Sequence, residues 1–311
     1  MLTNRQLAIR KTRIAASDVS AILGINPWRS PADVLHEKLY DVAPSEQTEA
    51  TAIGHWLEVP LIEWCALSLG FRADRRGGTR APVHHPLWCA TPDSVLRVPG
   101  DNGSSYETCS GIQAKTAGIV RGFAPKDDWG DADSGDVPEW VNVQVLAECF
   151  VMDWQYEWVA ALIAGRGRVR FRVEFNVELW ADIRAGCESW WDRHVVKREP
   201  LAQVPSIEVL RRTRRVPGKV IDAPHWLPLV VERWESKKAE IKLANALEGN
   251  DKAEILAAFG DAEAIRLPDG TGLTYMEREN RGYTVAPYKS RVLQVVKADE
   301  LPPPMEVENV G

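Results

Sequence analysis

The sequence lacks a positive balance of charge. Its 38 Lys and Arg stand against 44 Asp and Glu, a formal net charge of −6 over 311 residues. That excludes a domain that coats nucleic acid through bulk charge, so any such contact has to come from local patches. Paired cysteines are lacking too. The five cysteines, Cys65, Cys89, Cys109, Cys149 and Cys187, form no C-x-x-C pair. No zinc knuckle or iron–sulfur cluster is suggested, and the odd count argues against a disulfide scaffold. No apolar run reaches membrane-spanning length. The opening residues MLTNRQLAIRKTR lack the apolar stretch of a signal peptide. The expectation is a soluble cytoplasmic protein that uses no membrane. No internal repeat is visible.

Tryptophan, by contrast, is abundant, with 13 in the chain. Most fall in apolar-periodic stretches, which predicts core and interface packing. The alternative use is stacking on nucleic-acid bases. Four basic runs stand out in the acidic background: Arg5, Arg10, Lys11 and Arg13; Arg72, Arg75, Arg76 and Arg80; Arg166, Arg168, Arg170 and Arg172; and Arg211, Arg212, Arg214, Arg215 and Lys219. A single run reads as a solvated face. Four together suggest a positive groove on a negative exterior.

The local pattern predicts a short helix over 17–24, capped by Ser17 or Asp18 and ended by Gly24, then a helix over 31–40 with Pro31 in its first turn. Residues 51–69 read as a long helix that Pro60 should kink or break. From residue 88 the period changes to two. Residues 88–98 and 110–116 read as a hairpin around the turn at 99–103. A helix follows at 139–153, strands at 155–163 and 168–176, and a helix at 177–195. Beyond 200 come several prolines, a charged helix over about 228–247, a short helical piece, a turn at 268–272 and further strands. This gives a core at 1–200, an appendage at 201–300 and a flexible tail at 301–311.

The chemistry sits in the middle. Phosphodiester hydrolysis needs a deprotonated water and a stabilised pentavalent phosphate. One or two Mg²⁺ ions held by carboxylates supply both. An acid-x-Lys pair on a strand places both side chains on one face. Here Thr91-Pro92-Asp93 supplies one acid, and Gln113-Ala114-Lys115 fills the acid-x-Lys position with Gln for the acid. Glu58 stands on the preceding helix and Gln144 on the following one. Alone, a Pro-Asp and a distant Lys read equally as a turn Asp and a surface Lys.

The ordered pieces carry more. They are Ile14-Ala15-Ala16-Ser17-Asp18-Val19 with Ile22-Leu23-Gly24, Gly54 to Glu58, Ala90-Thr91-Pro92-Asp93, Gly111-Ile112-Gln113-Ala114-Lys115-Thr116 and Val143-Gln144-Val145. In this order the run from Arg10 to Asp153 resembles the phage lambda exonuclease and YqaJ-type viral recombinase family of the PD-(D/E)xK nuclease superfamily. The resemblance does not extend clearly past residue 200. It implies an α/β (α+β) restriction-endonuclease-like core, a central mixed sheet flanked by helices, with a small α+β C-terminal appendage. It implies a Mg²⁺-dependent enzyme, Mn²⁺ able to substitute, that digests linear double-stranded DNA from a 5′ end. The 3′ overhang would pass to a single-strand annealing protein, and a ring of three subunits is implied for the assembly. A phage or prophage origin goes with it.

Residue by residue, the resemblance makes Asp93, Gln113 and the Ala114 carbonyl metal ligands. Lys115 would position the water, Glu58 would serve a second metal or its water, and Gln144 would support the site. Arg10, Ser17 and Arg121 would hold the 5′-phosphate, which suits the bidentate fork of Arg. The plain alternative is exposed arginines and a helix cap.

The family has Glu where Gln113 stands. Gln offers one carbonyl oxygen and no charge, so metal affinity and turnover should fall. Glu107, six residues upstream, is out of register to replace it. Three accounts stand: an engineered Glu→Gln change, a natural inactive end-binder, and a natural variant with a weaker ligand. The first is favoured because every other piece is intact. Rival functions are an inactive DNA-end binding protein of the same fold and another PD-(D/E)xK endonuclease.

Overall fold

The computed structural model describes residues 3–74, 78–99, 106–119 and 128–276. The chain divides into two compact units, Met1–Arg214 and Arg215–Gly311.

The first unit opens with α1 (Asn4–Lys11), held by a capping box between Thr3 and Gln6. β1 (Ile14–Ala15), a 3₁₀ turn over Ala16–Asp18 and α2 (Val19–Ile22) follow. α3 (Pro31–Leu39) begins where the pattern predicts, with Ser30 as cap and Pro31 in its first turn. α4 (Glu49–Ser68) is the long helix. Then come β2 (Arg72–Asp74), β3 (Trp88–Cys89), β4 (Ser94–Pro99), β5 (Tyr106–Ala117), α5 (Glu139–Met152), β6 (Tyr156–Ile163), β7 (Gly167–Glu174), α6 (Val177–Trp190) and α7 (Ile207–Arg212).

Five strands form one sheet in the order β2-β4-β5-β6-β7. β5 and β6 are parallel, and the other neighbours are antiparallel. The sheet is therefore mixed, with α5 as the crossover between its two parallel strands. Alternation assigns the faces. Val95, Ala117, Val159, Ala161 and Ile163 meet Val141, Val145 and Cys149 of α5. Leu96, Ile112, Trp158 and Ala160 meet Leu61, Ile62, Cys65 and Ala66 of α4. A third cluster, including Ile14, Val19, Trp88, Leu146 and Trp180, ties the N-terminal segment to α5 and α6. The result is the expected α/β core with a central mixed sheet between helices. Seven of the 13 tryptophans are buried, so packing accounts for more than half of them.

Several local expectations are corrected. The segment at 17–24 is not one helix but a 3₁₀ turn leading into α2. Pro60 does not end α4. Pro60 and Trp56 both lie on its exposed side, so the carbonyl that loses its partner can turn to water. Residues 88–98 are two strands. Trp88–Cys89 pairs in parallel with β1, and the sheet strand starts anew at Ser94. Pro92 between them has no N–H to continue a ladder.

The first unit also runs past the expected boundary at 200. Ser206 N donates to Asp33 Oδ1 at 2.6 Å, and Arg212 Nη1 to the Ala43 carbonyl at 2.8 Å. His36 Nε2 and Thr213 Oγ1 lie 2.8 Å apart. Part of the last basic run is thus spent on the core: Arg212 pairs with Glu37 and Arg214 with Asp41.

In the second unit the two expected helical pieces are one helix, α8 (Leu227–Phe259). Gly249 and Asn250 do not interrupt it. β8 (Ala264–Arg266) and β9 (Gly272–Thr274) form the hairpin expected around 268–272. The turn at 100–103 and the strands expected after residue 276 lie outside the described residues.

Candidate active site

The site is built where β4 begins. Its ladder with β5 runs up to Ser94↔Ile112. One residue before, Asp93 takes over the backbone's part. Its Oδ2 accepts from the Ala114 N–H at 2.9 Å. The same oxygen accepts from Gln113 Nε2 at 2.6 Å. On β5 the period of two sends Gly111, Gln113 and Lys115 to the α5 face. There Lys115 Nζ donates to Gln144 Oε1 at 3.1 Å and stands 5.5 Å from the centre of the Trp140 ring. Glu58 comes from α4. A cleft of about 270 Å³ is lined by Glu58, Asp93, Gln113, Ala114, Lys115 and Trp140, among others. The residues picked as the catalytic set thus converge on one cleft, with Gln144 just behind Lys115.

The electrostatics follow from enclosure. Asp93 has lost most of its water, and that desolvation is the main reason its carboxyl is pushed up from 3.8 to about 7. Lys115 pulls the other way, Glu148 and Glu58 add to the rise, and the Ala114 N–H offsets part of it. Gln113 is buried, and its Oε1 has no hydrogen-bond partner. An acceptor left in that state is unusual in a native interior and calls for an explanation.

Residues 6–155 match the family model of the YqaJ-like viral recombinase domain. That segment is just under half of the chain. A curated relative, the uncharacterized protein YqaJ of Bacillus subtilis (strain 168), is 28% identical over 198 residues, 62% of this chain. The match spans 57% of that relative's length. Among solved structures, the alkaline exonuclease LHK-Exo of Laribacter hongkongensis aligns over 63% of this chain and 94% of its own, at 15% identity and a TM-score of 0.47. A phage related exonuclease from Haemophilus somnus 129PT aligns over 60% of this chain and 96% of its own, at 11% identity and a TM-score of 0.39.

The residues expected to hold a terminal phosphate are only partly assembled. Arg10 Nη2 donates to Ser17 Oγ. Ser17 does not cap a helix, so the cap reading is corrected. Neither residue is among those lining the cleft. Arg121 lies outside the described residues. Beneath Ser17, buried Asp18 accepts from Ala15 N, Arg29 Nη1 and Lys38 Nζ. Burial alone would raise its pKa. Lys38, Arg29 and Arg10 outweigh that and hold its carboxyl well below the usual range. Lys38 Nζ also donates to the Arg10 and Arg13 carbonyls, at 2.7 and 2.8 Å, which fixes the end of α1.

A larger depression, about 410 Å³, lies beside Arg29, Asp33 and Ser206. Its charges are already committed, Arg29 to Asp18 and Glu37, Asp33 to Ser30 and Ser206. The smaller cleft holds the reactive groups. The basic run on β7 is also engaged. Arg168, Arg170 and Arg172 lie over the rings of Trp64, Trp158 and Tyr156, and Arg170 also pairs with Asp133.

Two carboxyl groups went unnoticed in the sequence. Glu148 on α5 and Glu157 on β6 are both fully buried on the site's side of the sheet. The signal was there. Glu148 follows Gln144 by one helical turn in an apolar helix, and Glu157 is the one charge in the strand YEWVAALI. Among the described residues no three His, Cys, Asp or Glu side chains gather as a metal cluster. Cys65, Cys89, Cys149 and Cys187 are free and buried.

Proposed function

We propose that the chain is a deoxyribonuclease that digests linear double-stranded DNA from a 5′ end and leaves 3′ overhangs, with Mg²⁺ as its cofactor and a rate lowered by Gln113. The observation that carries this reading is the convergence of Asp93, Gln113, Lys115 and Glu58 on one cleft inside the segment that matches the family. A structural Asp and a surface Lys have no reason to meet in that way.

The donor set fits a single hard divalent cation. Asp93 brings a carboxylate that burial has made hungry for a cation, and Gln113 brings a buried oxygen with nothing bound to it. The Ala114 carbonyl is the third donor in this reading. One formal charge in place of two makes the site weaker than a two-carboxylate site. Mn²⁺ would substitute, and Glu58 is the group that would serve a second ion or its water. When bound, the metal supplies Lewis-acid stabilisation of the phosphate and an acidified water.

The chain's own residues do the rest. Lys115, held by Gln144, presents an ammonium to the attacking water or to the charge that develops on phosphate. Asp93, tied to the β5 backbone, keeps its carboxylate in register with that ammonium. Arg10 and Ser17 would take the terminal phosphate, Arg through its fork. The single-stranded product suits an annealing protein, and a closed trimer would account for processive digestion.

The test is cleavage of 5′-phosphorylated linear duplex with Mg²⁺, beside the same DNA as a closed circle. Loss of the linear form alone supports an exonuclease. Cleavage of the circle points to an endonuclease. A second reading, an end-binding protein that does not cut, is favoured by the missing charge at Gln113. It requires that Gln113→Glu bind ends and still cut nothing.

A further inference from the structure

The Lys115 side chain is held by a line of groups that runs inward from the cleft. Lys115 Nζ donates to Gln144 Oε1 at 3.1 Å, and Gln144 Nε2 donates to Glu148 Oε1 at 2.9 Å. The order is forced. An ammonium only donates, so the amide has to face it with oxygen. The NH₂ group of Gln144 then points inward and needs an acceptor, which Glu148 provides. Without one, the amide could turn over and set its donors against the ammonium.

Glu157 stands behind Glu148. Both of its carboxyl oxygens, and Oε2 of Glu148, are buried with no N–H donor. The partner left to them is the other acid, Glu157 donating its proton to Glu148. Space for Glu157 exists because residue 111 is glycine. A Cβ there would come within 2.7 Å of Glu157 Oε1 and 2.3 Å of the Trp154 ring. Gly111 is on the same face of β5 as Gln113 and Lys115, so Glu157 lies under the catalytic row. Burial raises the pKa of both acids, and Glu148 lifts Glu157 further. A buried pair of acids is costly, and a well-packed apolar pair would serve stability better. Stability is therefore a poor reason for their presence.

We propose that Glu148, backed by Glu157, is a positioning residue. It fixes the orientation of the Gln144 amide and through it the place of the Lys115 ammonium. This deepens the nuclease reading and rests on it for the catalytic part, but the placement of Lys115 can be read without any turnover.

The experiment compares Glu148→Met, Glu148→Gln and Glu157→Gln in the full chain, or in Gln113→Glu where turnover of the parent is too slow to follow. Met fills the same volume and accepts nothing. Gln keeps a carbonyl acceptor. The first readout is the ¹⁵N-labelled ammonium resonance of Lys115, assigned by its loss in Lys115→Arg. It should shift or broaden in Glu148→Met and return close to the parent position in Glu148→Gln. The second readout is turnover on linear duplex. Glu148→Met should lower kcat by about 10²-fold, the scale of a small misplacement, with KM for DNA and Tm unchanged or Tm raised. Glu148→Gln should recover most of the loss. Glu157→Gln should fall between them. An unmoved Lys115 resonance in Glu148→Met overturns the proposal. So does an equal fall of both Glu148 variants together with Tm, because that marks a structural role. A moved resonance with no cleavage by any variant leaves the positioning intact and sinks the nuclease reading.

Discussion

The Ala114 N–H and the Asp93 carboxylate are 2.9 Å apart, and that bond replaces the ladder contact that β4 would have made had it begun one residue before Ser94. Backbone and acid are thereby one unit. Asp93 cannot shift without releasing a strand N–H, and the acid-x-Lys row cannot shift without Asp93.

That coupling makes Asp93 report on pH. Its pKa is raised from 3.8 to about 7, so the native state holds a proton that the unfolded chain has already lost. The contribution to stability is full below the ordinary carboxylate range and is lost as pH rises through about 7. In chelator, the Tm difference between the parent and Asp93→Asn should change across that window, the parent losing ground as pH rises. Added Mg²⁺ or Mn²⁺ should cancel the loss, and metal affinity should climb over the same window because binding displaces the proton. A pH-independent difference would rule out the raised pKa.

Lys115→Ala should keep the fold and lose about 10²–10³-fold in kcat, the scale found for removing one group aimed at developing charge. Lys115→Arg should recover little, since a planar fork does not sit where a point charge sat. Circular dichroism and single-turnover cleavage check the two halves of this statement.

Removing Asp18 should damage the fold more than the chemistry. Asp18→Ala leaves the buried Lys38 without its anion and the partly exposed Arg29 with Glu37 alone. Breaking a buried pair in this way costs about 3–5 kcal/mol. Denaturant unfolding should show a loss of that order. A change under about 1 kcal/mol would place the network with ordinary surface pairs.

Arg10→Ala should erase any preference for 5′-phosphorylated over 5′-hydroxyl ends in a cleavage-competent background. Ser17→Ala should weaken it less, because Ser17 holds Arg10 by a single hydroxyl. Competition between the two end types reads the effect, and an unchanged ratio rejects the role.

Much of this was legible in the sequence. The switch from a helical period to a period of two announced the β4–β5 hairpin, and acid-x-Lys spacing put residues 113 and 115 on one face. Elsewhere a local rule lost to context. Pro60 sits in a helix interior because it and Trp56, whose carbonyl loses its helical donor, lie on the exposed side. Residues 201–214 read as part of the appendage because their contacts are to Asp33, Glu37 and Asp41, far back in the chain. Glu148 and Glu157 passed as ordinary helix and strand acids because burial is a property of the assembled layers. Gly111 drew notice only as part of a motif, since the side chain that needs its missing Cβ lies on another strand.

The central claim is that these residues form a metal-dependent nuclease site weakened at one ligand. The most direct measurement is Mg²⁺-dependent digestion of 5′-phosphorylated linear duplex by this chain beside Gln113→Glu. The account predicts slow loss of the 5′-ended strand by the parent and a rate about tenfold or more higher when the carboxylate is restored. No cleavage by Gln113→Glu with either Mg²⁺ or Mn²⁺ would contradict it.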